Sequence, residues 1–431
     1  MMATLLVLGI VLGATLVIAW FPRQKEATAL AAVAVLLGLG QGLGFFPADR
    51  ALASISLPVI LILLSIGIFA SVFAASGMFE RVCRVLVIWA RGDQRVLIPS
   101  FMVMTYCFSS LLPNLTCLYV LLPLMIGSLR AVGMEADRLR RTVVAIVIAS
   151  NLGGASTMIG DFPNILISRS QAIPFMAFIG WMMPVCILLL LVLMLLSFRR
   201  ADLGCAPAFH RAMMTEMIRQ QSERLAIHQR LFWPAALCFL LMLIGLVFTG
   251  WFPFPPEVVC ILSACLCIWF LKEPQKWATE VDVKSTLFIA CLFVFAGAIQ
   301  ATGALEWLAH EVIALAGGNP VRLSAALIIL ACVLTAFFSA GPTTAVLIPI
   351  AERLDGQLPG HMVWWCLSLG VLAGSSTTLL SATAGPIAAN MLSQQTGIVL
   401  SYGDFLRLGW KVGLSFCAGG IGYIWFRLQV G

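Results

Sequence analysis

The sequence predicts an all-α polytopic membrane protein made of two inverted repeats, with about ten transmembrane helices, two re-entrant hairpins and two broken helices. Three observations predict it. Of the 431 residues 61% are hydrophobic and 10% charged, whereas soluble domains are roughly half apolar and a quarter charged. Apolar runs recur along the whole chain, each long enough to cross about 30 Å of hydrocarbon. At matching places in the two halves, runs that should be unbroken helices contain Gly, Pro and polar residues.

In chain order, the first spans fall near 3–20, 27–45 and 55–76. Ala3–Trp20 lacks a basic leading region and a clear small-residue cleavage site, so it reads as a retained span. Gly77–Arg91 is a short amphipathic piece with Arg81 and Arg84 on its polar side. Leu97–Leu129 is apolar but interrupted at Pro113-Asn114, which allows two spans or a hairpin that enters and leaves on one side. Thr142–Ile167 is interrupted by Ser150-Asn151-Leu152-Gly153-Gly154 and Gly160-Asp161-Phe162-Pro163-Asn164. A span at 174–197 follows, then a polar stretch, 198–230, rich in Arg, Glu and Gln, expected to be a cytoplasmic helical linker. The expected organisation is therefore a first transmembrane repeat at 1–197, the linker at 198–230 and a second transmembrane repeat at 231–431.

The second half restates the first. Spans 231–250, 256–271 and 284–301 correspond to the first three. Ser76-Gly77-Met78-Phe79-Glu80-Arg81 matches Thr302-Gly303-Ala304-Leu305-Glu306-Trp307, and 109–123 aligns with 335–349 without a gap, Pro123 meeting Pro349. Gly153-Gly154 and Thr157 align with Gly374-Ser375 and Thr378. With five spans and one hairpin per half and the N-terminus outside, 19 of the 26 Lys and Arg residues fall on the cytoplasmic side, five outside, and Arg407 and Lys411 at or within the last helix. That asymmetry supports the topology. An odd number of spans per half inverts the repeats, so the hairpins enter from opposite faces.

A backbone broken at membrane depth must give its freed N–H and C=O groups to buried protein, a water-filled cavity or an ion. Asp161 within such a break costs roughly 2.5–3.5 kcal/mol even on lenient insertion scales. It either caps the helix starting at Phe162-Pro163 or carries function by exchanging a proton for a cation; the two are compatible. Asn151, Thr157 and Asn164, with carbonyls freed around Gly153-Gly154, offer neutral oxygens of the kind that dehydrate Na⁺. Ser109, Ser110, Asn114 and Thr116 at the first hairpin tip face this loop, and Ser339, Thr343 and Thr344 do so in the second half. Hydroxyls suit a cation's oxygen shell or an anion held at helix N-termini, so they leave the sign of the ligand open. Thr377, Thr378, Ser381 and Thr383 make the second broken helix polar without charge, for binding or for close packing. Glu80 and Glu306 read as interfacial. Asp404, Arg407 and Lys411 read as a snorkelling cluster.

These residues resemble the ion transporter superfamily, in the branch of arsenite permeases, NhaD-type sodium/proton antiporters and citrate carriers. The resemblance rests on Asn151, Gly153, Gly154, Thr157, Ile159, Gly160, Asp161, Pro163 and Asn164, and on hairpins 109–117 and 335–344. It covers roughly 55–197 and 281–425. Two departures matter. Where the antiporter-like pattern carries Asp in each hairpin, this chain has Pro113 and Ser339, and Leu372 and Gly385 replace asparagines of the second broken helix. Ser156–Asn164, Trp364-Trp365 and Ala382–Gly385 are similar to transporter-like proteins of bacterial magnetosome membranes.

The resemblance implies secondary active transport by alternating access. The expected set of binding residues is Ser110, Asn114, Thr116, Asn151, Gly153, Thr157, Asp161, Asn164, Ser339, Thr343, Thr344 and Thr378, with Asp161 coupling to the proton. Cation/proton exchange, with Na⁺ the metal carried, leads. A carboxylate or oxyanion carrier and a degenerate transporter serving magnetosome assembly are the alternatives. An intramembrane enzyme is disfavoured, since there is no H-E-x-x-H, no paired intramembrane aspartates and no nucleophile elbow. No cofactor is expected. The 13 scattered cysteines show no metal or disulfide spacing, and the four histidines map to loops or ends, against an intramembrane metal site. Expected partners are a small inorganic ion and the lipid bilayer, of a bacterial inner or magnetosome membrane, with a homodimer left open. The basic residues lie in short loops, so the net charge of +7 gives no reason to expect nucleic acid.

Overall fold

The computed structural model describes residues 2–21, 24–197, 227–249, 251, 254–271, 283–302, 314 and 316–430. Among these all regular structure is helical. Most of the expected linker, Glu306 and the Gly303–Trp307 match lie outside the described residues, as do Lys272, Lys276, His210 and His310.

The first half holds α1 (Met2–Trp20), α2 (Lys25–Gly42), short α3 (Ala48–Ala53), α4 (Leu57–Ala75), α5 (Met78–Trp89), α6 (Gln94–Leu111), α7 (Asn114–Ala131), α8 (Ala136–Ser156), α9 (Phe162–Ser170) and α10 (Phe175–Ser197). The second holds α11 (Gln229–Phe248), α12 (Pro256–Leu271), α13 (Val283–Ala301), α14 (Pro320–Phe338), α15 (Ala340–Leu354), α16 (Met362–Ser375), α17 (Gly385–Thr396) and α18 (Tyr402–Val430). Five of them, α4, α7, α10, α11 and α14, are long and apolar enough to cross a membrane, and shorter apolar stretches lie in α1, α2, α12 and α13. Their outward residues include large apolar ones: Leu195 and Trp269 are each at least 78% exposed. Such a surface suits lipid and not water.

The helices start and stop for local reasons. Asp93 caps α6, its side chain accepting from Arg95 N. Asn319 caps α14 through Val321 N and Arg322 N, with Pro320 at the first helical position. Between α6 and α7 the chain turns at Leu112 and Pro113, both non-helical. The two helices form a hairpin: Gln94 at the start of α6 donates to the carbonyl of Val132, just past the end of α7 (3.4 Å). The equivalent joint between α14 and α15 is Ser339, at φ 68° and ψ 164°.

Two helices are buried nearly all round, α8 from Thr142 onward and α16 throughout. A helix without a polar face belongs at the centre. Each ends at a break, 157–161 after α8 and 376–384 after α16, and then resumes as α9 or α17. The packing pairs off: α6 and α7 lie against α8 as α14 and α15 lie against α16, α7 packs on α17 as α15 packs on α9, and α4 packs on α12 as α13 packs on α2. The central helices run antiparallel. Arg140 at the start of α8 donates to Val399 O, beyond the end of α17, while Trp365 at the start of α16 stacks on Trp181 near the start of α10.

Candidate functional site

Glycines bring each central helix against its own hairpin just before the break. A Cβ on Gly153 would lie 2.3 Å from Tyr106 O, and one on Gly374 2.4 Å from Cys332 O. Tyr106 and Cys332 each lie three residues before the gap-free alignment of the hairpins, at the same offset, so both contacts have one geometry. A hydroxyl then ties each break to its hairpin: Thr157 donates to the carbonyl of Ser110, and Thr378 to that of Ala336 (3.0 Å).

Above this shared frame the first break carries a dense polar network. Asn114 Nδ2 donates to Asn151 Oδ1 (2.9 Å), and Asn151 Nδ2 to the carbonyl of Ser375 (2.9 Å), joining the two halves. Ser150, which the sequence reasoning did not single out as a site residue, bonds Asn114 Oδ1 through its hydroxyl and accepts at its carbonyl from Ser109 (2.8 Å). Its place directly before Asn151 was the only signal. Asn164 Nδ2 holds the carbonyls of Gly154 (2.7 Å) and Thr157 (2.9 Å), and Asn164 Oδ1 lies 3.4 Å from the hydroxyl of Ser368. Asn114 N donates to Gly160 O, fixing the start of α7 on the break. These buried amides thus satisfy broken backbone, as a dry break requires.

Asp161 caps a helix and also faces a cavity. Its Oδ1 accepts from Phe162 N (2.9 Å), capping α9, where the helix dipole favours negative charge. It is also half-buried on the wall of a cavity of about 110 Å³, whose polar lining includes Asn114, Thr116, Thr286 and Thr383. Apolar walls come from α4 (Leu63, Gly67) and α13 (Phe288, Ile289). Among the described residues no Lys, Arg or His lines it. At about 30 Å³ per water the cavity holds roughly three waters. Thr286, on a helix remote in sequence, carried no signal.

The remaining expected residues are placed differently. Ser110 turns its hydroxyl back to Cys107 O (2.8 Å) and contributes its carbonyl instead. Gly153 acts through close packing. Neither Ser339, Thr343, Thr344 nor Thr378 lines the Asp161 cavity. Thr344 bonds back to Ala340 O (2.8 Å). Among the described residues the buried hydroxyls of Thr335, Thr343 and Ser376 find no hydrogen-bond partner. Among the described residues no group of three or more His, Cys, Asp or Glu could hold a metal.

With this geometry in place, comparisons with known proteins are specific. The profile of the citrate transporter family matches residues 15–370. The chain is 28% identical over 402 residues to the magnetosome protein MamN of Magnetospirillum gryphiswaldense, covering 91% of this chain and 89% of MamN. It is 28% identical to an uncharacterized transporter of Mycobacterium tuberculosis, covering 94% and 95%. The crystal structure of the YdaH transporter of Alcanivorax borkumensis, described as having an unusual topology, superposes with a TM-score of 0.53 at 15% identity, covering 96% and 98%. At that identity the superposition speaks for the fold.

Proposed function

The chain belongs to the citrate transporter family, a family of multi-pass membrane transporters and not of enzymes, and from that premise we propose that it exchanges a small inorganic cation against protons by alternating access. The observation that carries this reading is Asp161. A carboxylate on the wall of a small cavity, facing hydroxyl and amide groups and no basic side chain, attracts a cation or a proton and takes one at a time. Space for about three waters suits an ion with part of its hydration shell. Na⁺ fits the oxygen-only donor set. Asn151, Thr157 and Asn164 keep the break dry, and Asn114 and Thr116 complete the wall.

In this reading the chain is two inverted transmembrane repeats, 1–197 and 231–431, joined by the cytoplasmic stretch 198–230. The antiparallel central helices and the exchanged packing pairs support it. The hairpins, central helices and breaks move together against α1–α4 and α11–α13. The MamN relatives suggest a magnetosome membrane as the site of action, which co-fractionation of the tagged protein with magnetosome vesicles tests.

A carboxylate substrate is the second reading. The helices starting at Asn114, Ala340 and Gly385 have no side-chain cap, and uncapped N-termini favour anions. Proteoliposomes loaded with a pH dye separate the two. Cation exchange predicts proton flux driven by a Na⁺ gradient and lost in Asp161→Asn. Flux driven by citrate that persists in Asp161→Asn would replace the cation reading with the anion one.

A further inference from the structure

A second polar cavity, of about 560 Å³, shares no lining residue with the Asp161 cavity and opens where the starts of α8 and α18 meet the end of α10. Among the described residues Arg140, Arg141, Arg407 and Lys411 line it, against only two carboxylates, Asp137 and Asp404. Both carboxylates are already engaged. Asp137 pairs with Arg140, and Asp404 accepts from the Ser401 hydroxyl (2.7 Å), with Arg407 at 3.8 Å. That hydroxyl, first among several causes, holds the Asp404 carboxyl below its usual range, so it stays charged and committed. Among the described residues no carboxylate lies within ion-pair distance of Arg141 or Lys411, both exposed; Lys411 lies over the ring of Trp410 at 5.9 Å. The cavity therefore presents uncommitted positive charge.

Its rim is apolar. Leu196, Leu408 and Trp410, with Ser197, complete the lining, and the outward faces of α10 and α18 continue from the apolar three as Leu188, Leu191, Leu195 and Leu414, all more than half exposed. A soluble anion needs the charge but not this adjoining apolar track. A phospholipid uses both: its phosphate in the basic cavity and its acyl chains along α10 and α18. The aromatic Trp410 sits at the boundary, as interfacial tryptophans do. Basic pockets between transmembrane helices on the cytoplasmic side are where anionic headgroups dock, and the Lys and Arg count puts this face in the cytoplasm.

We propose that this cavity is a binding site for the phosphate of an anionic phospholipid, held by Arg141 and Lys411 and walled by Arg140, Arg407 and Trp410. It is distinct from the Asp161 cavity and independent of which ion is carried.

The test uses the full chain purified in detergent, with phosphatidylglycerol, phosphatidylcholine and inorganic phosphate as probes and native mass spectrometry plus thermal unfolding as readouts. Phosphatidylglycerol should be retained and raise the melting temperature, while phosphatidylcholine does so weakly. Arg141→Gln with Lys411→Gln should weaken phosphatidylglycerol retention on the order of 25-fold, from about one unit of surface attraction per charge. Arg141→Lys with Lys411→Arg should restore it, which separates lost charge from lost folding. Retention unchanged in the double Gln variant, or lost equally in the charge-conserving variant, overturns the site. Protection by millimolar inorganic phosphate equal to that by phosphatidylglycerol overturns the lipid assignment in favour of a soluble anion.

Discussion

The two breaks share a frame and differ in filling. At both, a glycine lies against a hairpin carbonyl and a threonine hydroxyl ties the loop to the same hairpin position. At the first, Asn114, Ser150 and Asn151 bond one another. Their counterparts, Ala340, Val371 and Leu372, have no polar side chains, and nearby hydroxyls of Thr335, Thr343 and Ser376 stay unpartnered among the described residues. The backbone joint is thus held by packing and one hydroxyl, and the chemistry is a separate layer added at one joint. A carboxylate stands in the first break, at Asp161, and none in the second.

The largest effects should come from the shared layer. Gly153→Ala and Gly374→Ala each drive a methyl into a backbone carbonyl, and overpacking of that kind costs about 3 kcal/mol. Both should lower the unfolding midpoint in detergent alike. A tolerated Gly374→Ala beside a disruptive Gly153→Ala would break the equivalence of the joints. Next, Asp161→Asn should leave stability within about 1 kcal/mol, because Asn also caps helices, yet reduce Na⁺-driven proton flux at least about 100-fold, equivalent to roughly 2.7 kcal/mol in barrier. Flux within twofold of the parent would remove Asp161 from the mechanism.

A third comparison exchanges the fillings. Asn151→Leu copies the second break and strands Asn114 Nδ2 and the Ser375 carbonyl, for about 1–3 kcal/mol. Leu372→Asn copies the first, but the counterpart of Asn114 there is Ala340, so the new amide lacks that partner and should destabilise by a similar amount. Thermal unfolding of the two variants checks this; a neutral Leu372→Asn would mean the second break has polar room that its composition conceals.

What was legible in the sequence follows the same division. Interruptions in apolar runs placed the hairpin joints at Pro113-Asn114 and within 335–344, close to the observed turns at 112–113 and 339, because a helix break at membrane depth needs Pro, Gly or polar residues. The pairing of Thr157 with Thr378 was legible from the alignment. Which amide meets which was not, since Asn151 bonding Ser375 depends on how two helices are rotated and not on either one's pattern. Ser150 looked like one more small residue. Thr286 joins the cavity wall only because α13 packs beside the breaks. The idea that all three second-joint hydroxyls, on Ser339, Thr343 and Thr344, share a site with Asp161 came from symmetry of sequence, and the asymmetric filling separates them.

Ser339 sharpens that separation with the smallest effect and the opposite sign. Its φ of 68° and ψ of 164° fall in a region that is essentially glycine's alone and costs other residues of order 1–3 kcal/mol. Glycine would relieve that strain and give back part of it as chain entropy, so Ser339→Gly should stabilise the protein by about 1 kcal/mol. Because Ser339 lies outside the cavity of Asp161, ion flux should stay within about twofold, a change of under 0.5 kcal/mol in barrier. A more stable variant that transports at the parent rate would mark the second joint as a packing device. A more stable variant with flux reduced about tenfold would show that the strain is kept for the sake of the hydroxyl, and would move part of the ion path to the second break.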